Sequence, residues 1–189
     1  MFNSSDKITK VPFDLNFDSS SSYHNLNSIF KSCNITQLPK LNNVKVHNVY
    51  YMFGSCSNLR EIPDYIADTW DWSYIEGKTS PYDGDFGFMF YSCLSLRSFS
   101  MNLIKSGNPY ANGSYSYYYY GFGGCYALDE LINLPIPYTK ATWTSNAFNN
   151  TFSSCNRLKN ITFALNDGVP YTVTWKSQII DLSSYVGYI

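Results

Sequence analysis

The residues best suited to covalent or metal chemistry are five cysteines, Cys33, Cys56, Cys93, Cys125 and Cys155, and two histidines, His24 and His47. A zinc site needs clustered thiolates and imidazoles at short spacing, and no Cys-x-x-Cys pair is present. The odd count and the wide spacing of the cysteines also argue against a disulfide framework. Asp83-Gly84-Asp85 offers two carboxylates to a calcium ion, but one short acidic turn lacks the further oxygen ligands such a site requires, and it reads as an exposed turn. Neither a Ser/His/Asp signature nor a glycine-rich phosphate loop occurs, and the carboxylates are too scattered to assign an acid/base pair. No cofactor is implied, and the chain is expected not to be an enzyme.

Recognition chemistry has better candidates. Trp70 and Trp72 flank an aspartate, where an aromatic pair either stacks on a sugar ring, anchors a partner or covers the edge of a core. Tyr115, Tyr117 and Tyr119 belong to a tyrosine run that either forms an exposed recognition ridge or reflects a Tyr-rich composition. Arg60, Glu61, Arg97, Glu130 and Lys159 fall at equivalent places in a repeat, described next. They form either a binding row or the solvated face of a sheet. The formal charge of −1 gives no electrostatic reason to expect nucleic acid or an anionic membrane as partner. Only 14% of residues are charged whereas 19% are aromatic, so Asn, Ser, Thr and Tyr must cover the surface. That composition suits recognition of protein or glycan.

What positions these residues is a repeat. Met52-Phe53-x-x-Cys56-x-x-Leu59-x-x-Ile62-Pro63 returns around Phe90 and Cys93, around Phe122 and Cys125, and around Phe152 and Cys155. Phe30-x-x-Cys33 is the same unit with one residue deleted after the Cys, and Met1-Phe2-x-x-Ser5 carries Ser in place of Cys. Six units in 189 residues indicate a repeat architecture.

Counting from the Cys, apolar residues recur at −7 (Leu26, Val49, Phe86, Tyr118, Phe148), often at −4 (Ile29, Met52, Met89), and always at −3 as Phe. These offsets lie on one face of a 3.6-residue helix, so a short helix is expected to end at each Cys. Beyond the Leu, apolar residues at +6 and sometimes +8 (Val11 and Phe13, Phe99 and Met101, Ile161 and Phe163) alternate with polar ones, the period of a strand. One short helix and one short strand cannot bury their own apolar face, whereas stacked units make a continuous core. The motif Phe and Leu side chains are expected inside, where full burial stabilises by roughly 1.5–3 kcal/mol each. The Cys reads as a small buried hydrophobe, and Ser5 implies that size rather than a thiol is what the position requires.

This skeleton resembles the BspA-type leucine-rich repeat and the related bacterial surface protein repeat. The match is closest at Asn43-Val44-Lys45-Val46-His47-Asn48-Val49-Tyr50-Tyr51-Met52-Phe53, ahead of Cys56. The resemblance implies a non-enzymatic α/β solenoid of about six short helix–strand coils, found on bacterial surface proteins and in gut-phage virions. This chain departs from the family in spacing, because successive motif Phe residues lie 28, 23, 37, 32 and 30 apart.

The expected organisation is a leucine-rich-repeat solenoid over 1–163, with insertions near 64–85 and 106–114 and a C-terminal cap over 164–189. The cap is expected to include a β-hairpin turning at Asn166-Asp167-Gly168. No run of apolar residues is long enough for a membrane-spanning helix. No signal peptide is read at the amino terminus, which begins inside a repeat. The first unit exposes Phe2, Ile8 and Val11 to whatever precedes it, so self-association or an upstream domain is expected there. The functional expectation is a recognition module for protein or glycan on a phage virion or bacterial surface. The alternative is a targeting repeat appended to an enzyme that lies outside this stretch.

Overall fold

In the computed structural model, residues 2–20, 23–67, 70–71, 87–99, 121–135, 150–164 and 170–174 are described. The strands are short, as a chain that turns at every repeat requires. They are β1 (Leu15–Asn16), β2 (His24–Asn25), β3 (Leu41–Asn42), β4 (Val46–Asn48), β5 (Glu61–Ile62), β6 (Ser98–Phe99), β7 (Glu130–Pro135), β8 (Asn160–Ala164) and β9 (Pro170–Thr174). Strands β5 to β8 pair in parallel, one from each of units three to six. Their register is Glu61↔Ser98↔Glu130↔Asn160 and Ile62↔Phe99↔Leu131↔Ile161. Among the described residues β9 is the last strand of the order, pairing antiparallel to β8 as a hairpin. Its turn, including Asn166-Asp167-Gly168, lies outside the described residues. Units one and two continue the parallel sense through the Lys10↔Gln37 bridge.

Two further parallel ladders join the first three units. Strand β1 pairs with β3, and β2 with β4, while Asp71 bridges Lys45 beyond β2 and β4. Between units one and two, Leu15 and Phe17 pack against the core.

The segments leading into each Cys are successive turns, and no α-helix occurs among the described residues. The short helix expected before each Cys is not seen among these residues, which make turns instead. The reason is a left-handed residue every fourth position. Ser28, Tyr51, Phe88 and Asn150 have φ of 54–57°, as do Ser32, Ser55, Ser92 and Ser154 at 57–62°; Gly124 is at 76°. A right-handed helix cannot include such residues. Alternate amides then bond within and between units. Ile29, Lys31 and Cys33 donate three residues back to Leu26, Ser28 and Phe30, whereas Ser28, Phe30 and Ser32 donate to Tyr50, Met52 and Gly54 of the next unit. The pattern repeats at Phe53 to Met89, Phe90 to Gly121 and Phe122 to Thr151, with N···O of 2.9 Å in each. Backbone donors are thus satisfied by stacking rather than by a helix.

The apolar phase is nevertheless the expected one. Leu26, Val49, Met52, Met89 and every motif Phe from unit two onward are buried, as are the Leu residues at 59, 96, 128 and 158. The six motif rings form one column. Phe2, Phe30, Phe53, Phe90, Phe122 and Phe152 stack with centroids 5.2–6.0 Å apart and planes within 18° of parallel. Such offset stacking adds about 0.5–1.5 kcal/mol per pair beyond burial.

Phe13 departs from the expected strand alternation. It is 63% exposed rather than inward. The ladder of unit one stops at the Lys10 bridge, and Pro12 has no N–H to extend it.

Candidate functional site

The five cysteines sit side by side along the stack, each buried and free of disulfides. Each thiol donates to the carbonyl oxygen of the motif Phe one unit earlier: Cys33 to Phe2, Cys56 to Phe30, Cys93 to Phe53, Cys125 to Phe90 and Cys155 to Phe122, at 2.7–3.1 Å. Each Cys is the small buried residue that the repeat implied, and its thiol adds a donor to the neighbouring unit. Burial pushes every thiol up, Cys56 and Cys155 to about 12 and Cys93 and Cys125 well above their ordinary value. Nucleophilic and metal-binding cysteines work as thiolates, and these remain protonated at neutral pH. Among the described residues, no group of three His, Cys, Asp or Glu could hold a metal.

The strand-face residues are brought together as two adjacent rows. Glu61, Ser98, Glu130 and Asn160 are consecutive ladder partners. Beside them run Arg60, Arg97, Asp129 and Lys159, linked by amides from Arg97 to Arg60, Asp129 to Arg97 and Lys159 to Asp129. Arg60, Glu61, Arg97, Glu130 and Lys159 are all exposed. Arg157 meets Asp129 at 3.1 Å, an exposed pair that contributes little. The rows are a solvated, mixed-charge surface.

Trp70 is only 3% exposed and belongs to the core. Its neighbour Asp71 donates to the Val44 carbonyl and accepts from the Val46 amide, both at 2.7 Å, which seals Trp70 against the stack. It does not present a ring face to a ligand. Trp72, Tyr115, Tyr117, Tyr119 and Asp83-Gly84-Asp85 lie outside the described residues, as do most of the expected insertions.

A concave site lies at the other end of the sheet, in residues that sequence reasoning passed over. A groove of about 500 Å³ is lined by Lys10, Val11, Pro12, Phe13, Asp14, Gln37, Leu38, Pro39, Lys40 and Tyr65. Its volume is in the ordinary range for ligand sites. Phe13 and Tyr65 are 63% and 41% exposed, against a floor of buried Leu38 and Pro39. Tyr65 stands on a single 3₁₀ turn, Asp64–Ala67, whose next residue Ile66 is fully buried. The lining segments 10–14 and 37–40 are tied together twice. The Leu15 amide donates to the Lys40 carbonyl at 2.9 Å, and an Asp14 carboxylate oxygen accepts the Lys40 amide at 3.3 Å. A signal was available in the sequence: in units one and three an aromatic follows closely on the Pro that ends the strand, as Pro12-Phe13 and Pro63-Asp64-Tyr65.

Among the described residues, no helix is long and apolar enough to cross a membrane. Comparison of the chain with protein-family models, with curated proteins and with solved structures finds no match.

Proposed function

We propose that the chain is a non-enzymatic recognition module, a leucine-rich-repeat solenoid of the BspA kind that binds protein or glycan on a phage virion or bacterial surface. One observation carries this reading: the stack spends its thiols and motif aromatics on the core, yet leaves Phe13 and Tyr65 exposed along a groove. Large exposed aromatics beside hydrogen-bonding groups are what recognition surfaces use. The thiols, the residues most apt for covalent chemistry, are protonated and occupied as donors to backbone carbonyls. The neutral surface fits a partner recognised by shape and hydrogen bonds rather than by bulk charge.

The test is to probe the full chain, labelled at a lysine-free tag, against arrays of bacterial surface proteins and surface glycans. Saturable binding to at least one component is the expected result. Absence of binding on both arrays, with a cooperatively folded sample, would overturn the reading.

A further inference from the structure

We infer that the groove between Phe13 and Tyr65 binds an acidic saccharide, one carrying a carboxylate or sulfate on a sugar ring. This rests on the recognition reading above and names its ligand class. Three observations converge on it. First, two exposed aromatic rings line one concave site, and the apolar C–H face of a pyranose stacks on such rings. Second, the polar side chains of the lining, Lys10, Asp14, Gln37 and Lys40, supply ammonium, carboxylate and amide groups, a set that matches ring hydroxyls. Third, the charge balance is two ammoniums against one carboxylate. Neither Lys10 nor Lys40 is ion-paired among the described residues, while one Asp14 oxygen is already engaged by the Lys40 amide. A local cationic excess in a chain of net charge −1 selects for an anion at this place rather than over the whole surface.

The alternatives fit less well. A proline-rich peptide docks in apolar slots between aromatics, whereas here four polar side chains share the lining with the two rings. Nucleic acid would leave a wider basic footprint. The walls are also preorganised, by the Lys10↔Gln37 bridge and by the prolines at 12 and 39. Little ordering is therefore needed on binding.

The experiment is titration of the full chain, followed by calorimetry and by amide chemical shifts. Sialyllactose and trigalacturonate are the acidic probes, lactose and maltotriose the neutral ones, and a proline-rich peptide the competitor class. The acidic probes are expected to bind, with the neutral probes roughly an order of magnitude weaker. Phe13→Ala and Tyr65→Ala should each weaken binding about fivefold or more. Lys10→Gln and Lys40→Gln should each weaken it on the order of threefold and flatten its salt dependence. All four side chains line the surface, and an unchanged thermal midpoint certifies folding of each variant. Three results would overturn the inference: equal affinity for the neutral probes, affinity unchanged in Phe13→Ala and Tyr65→Ala, or the peptide binding in the groove while the saccharides do not. If no acidic saccharide binds but the chain still captures a component of the surface arrays, the inference falls and the recognition reading stands. Silence in both assays removes both.

Discussion

The thiol of Cys56 donates to the carbonyl oxygen of Phe30 at 2.9 Å, and the same oxygen accepts the backbone N–H of Cys33 at 3.2 Å. One atom thus closes the turn of its own unit and fastens the next unit to it. Cys56→Ala deletes the thiol donor and leaves a small void, and is expected to cost about 1–3 kcal/mol. Cys56→Ser retains a donor and should cost less than Cys56→Ala. Urea unfolding of the two variants checks this, and equal stability of Cys56→Ala and wild type would show that the bond contributes nothing.

Phe53 sits in the middle of the ring column, 5.6 Å from Phe30 and 5.5 Å from Phe90. Phe53→Ala removes both stacks and opens a cavity, with an expected loss of ~3–5 kcal/mol. The loss should exceed that of Cys56→Ser. A measured loss under about 1 kcal/mol would mean that the column relaxes around the gap.

The buried thiols make stability depend on alkaline pH. Their folded pKa values are raised by burial, to about 12 for Cys56 and Cys155. An unfolded thiol titrates near ~8.5. The folded state therefore binds more protons above that value, and its stability falls as pH rises further. Below about pH 8 the thiols contribute no pH dependence. Unfolding midpoints across pH 7–11 should decline from about 8.5 upward, less steeply in Cys56→Ser. Thiol reagents at pH 8 should label the cysteines only after denaturation.

Ser55 occupies the left-handed region at φ 62°, which costs a non-glycine residue roughly 1–2 kcal/mol. Ser55→Gly removes that cost against some added unfolded-state entropy, and a gain of up to about 1 kcal/mol is expected. Gly124 holds the same place in unit five at φ 76°, and a Cβ there would lie 3.2 Å from Ser92 Oγ. Gly124→Val should therefore lose roughly 1–3 kcal/mol. Thermal melts of the pair decide the matter, and opposite signs are the expected outcome.

Much of the stack was legible because inward and outward positions follow from hydrophobic spacing alone. The offsets that place Leu26, Ile29, Phe30 and Cys33 inside hold in the structure. What spacing could not distinguish was a helix from a run of four-residue turns, since both return the chain to the same face about every fourth residue. The discriminating signal was the residue just before each Cys, which is Ser32, Ser55, Ser92, Gly124 or Ser154. Small residues recur there because the backbone is left-handed. The groove was not legible for a different reason. Phe13 falls on the inward phase of its strand, and only the early end of the ladder before Pro12 turns it outward.

The spacing of the ring column has a practical corollary. Phe30 and Phe53 are separated by 23 residues and Phe53 and Phe90 by 37, yet the two ring pairs lie 5.6 and 5.5 Å apart. Loop-closure entropy rises only logarithmically, so those extra residues cost about 0.4 kcal/mol. The ring column thus tolerates unequal lengths of chain between its rungs, while linking residues such as Ile66 and Trp70 are themselves buried against it. Foreign peptides inserted between units should disturb the melting behaviour little where these buried residues are kept, and strongly where they are replaced.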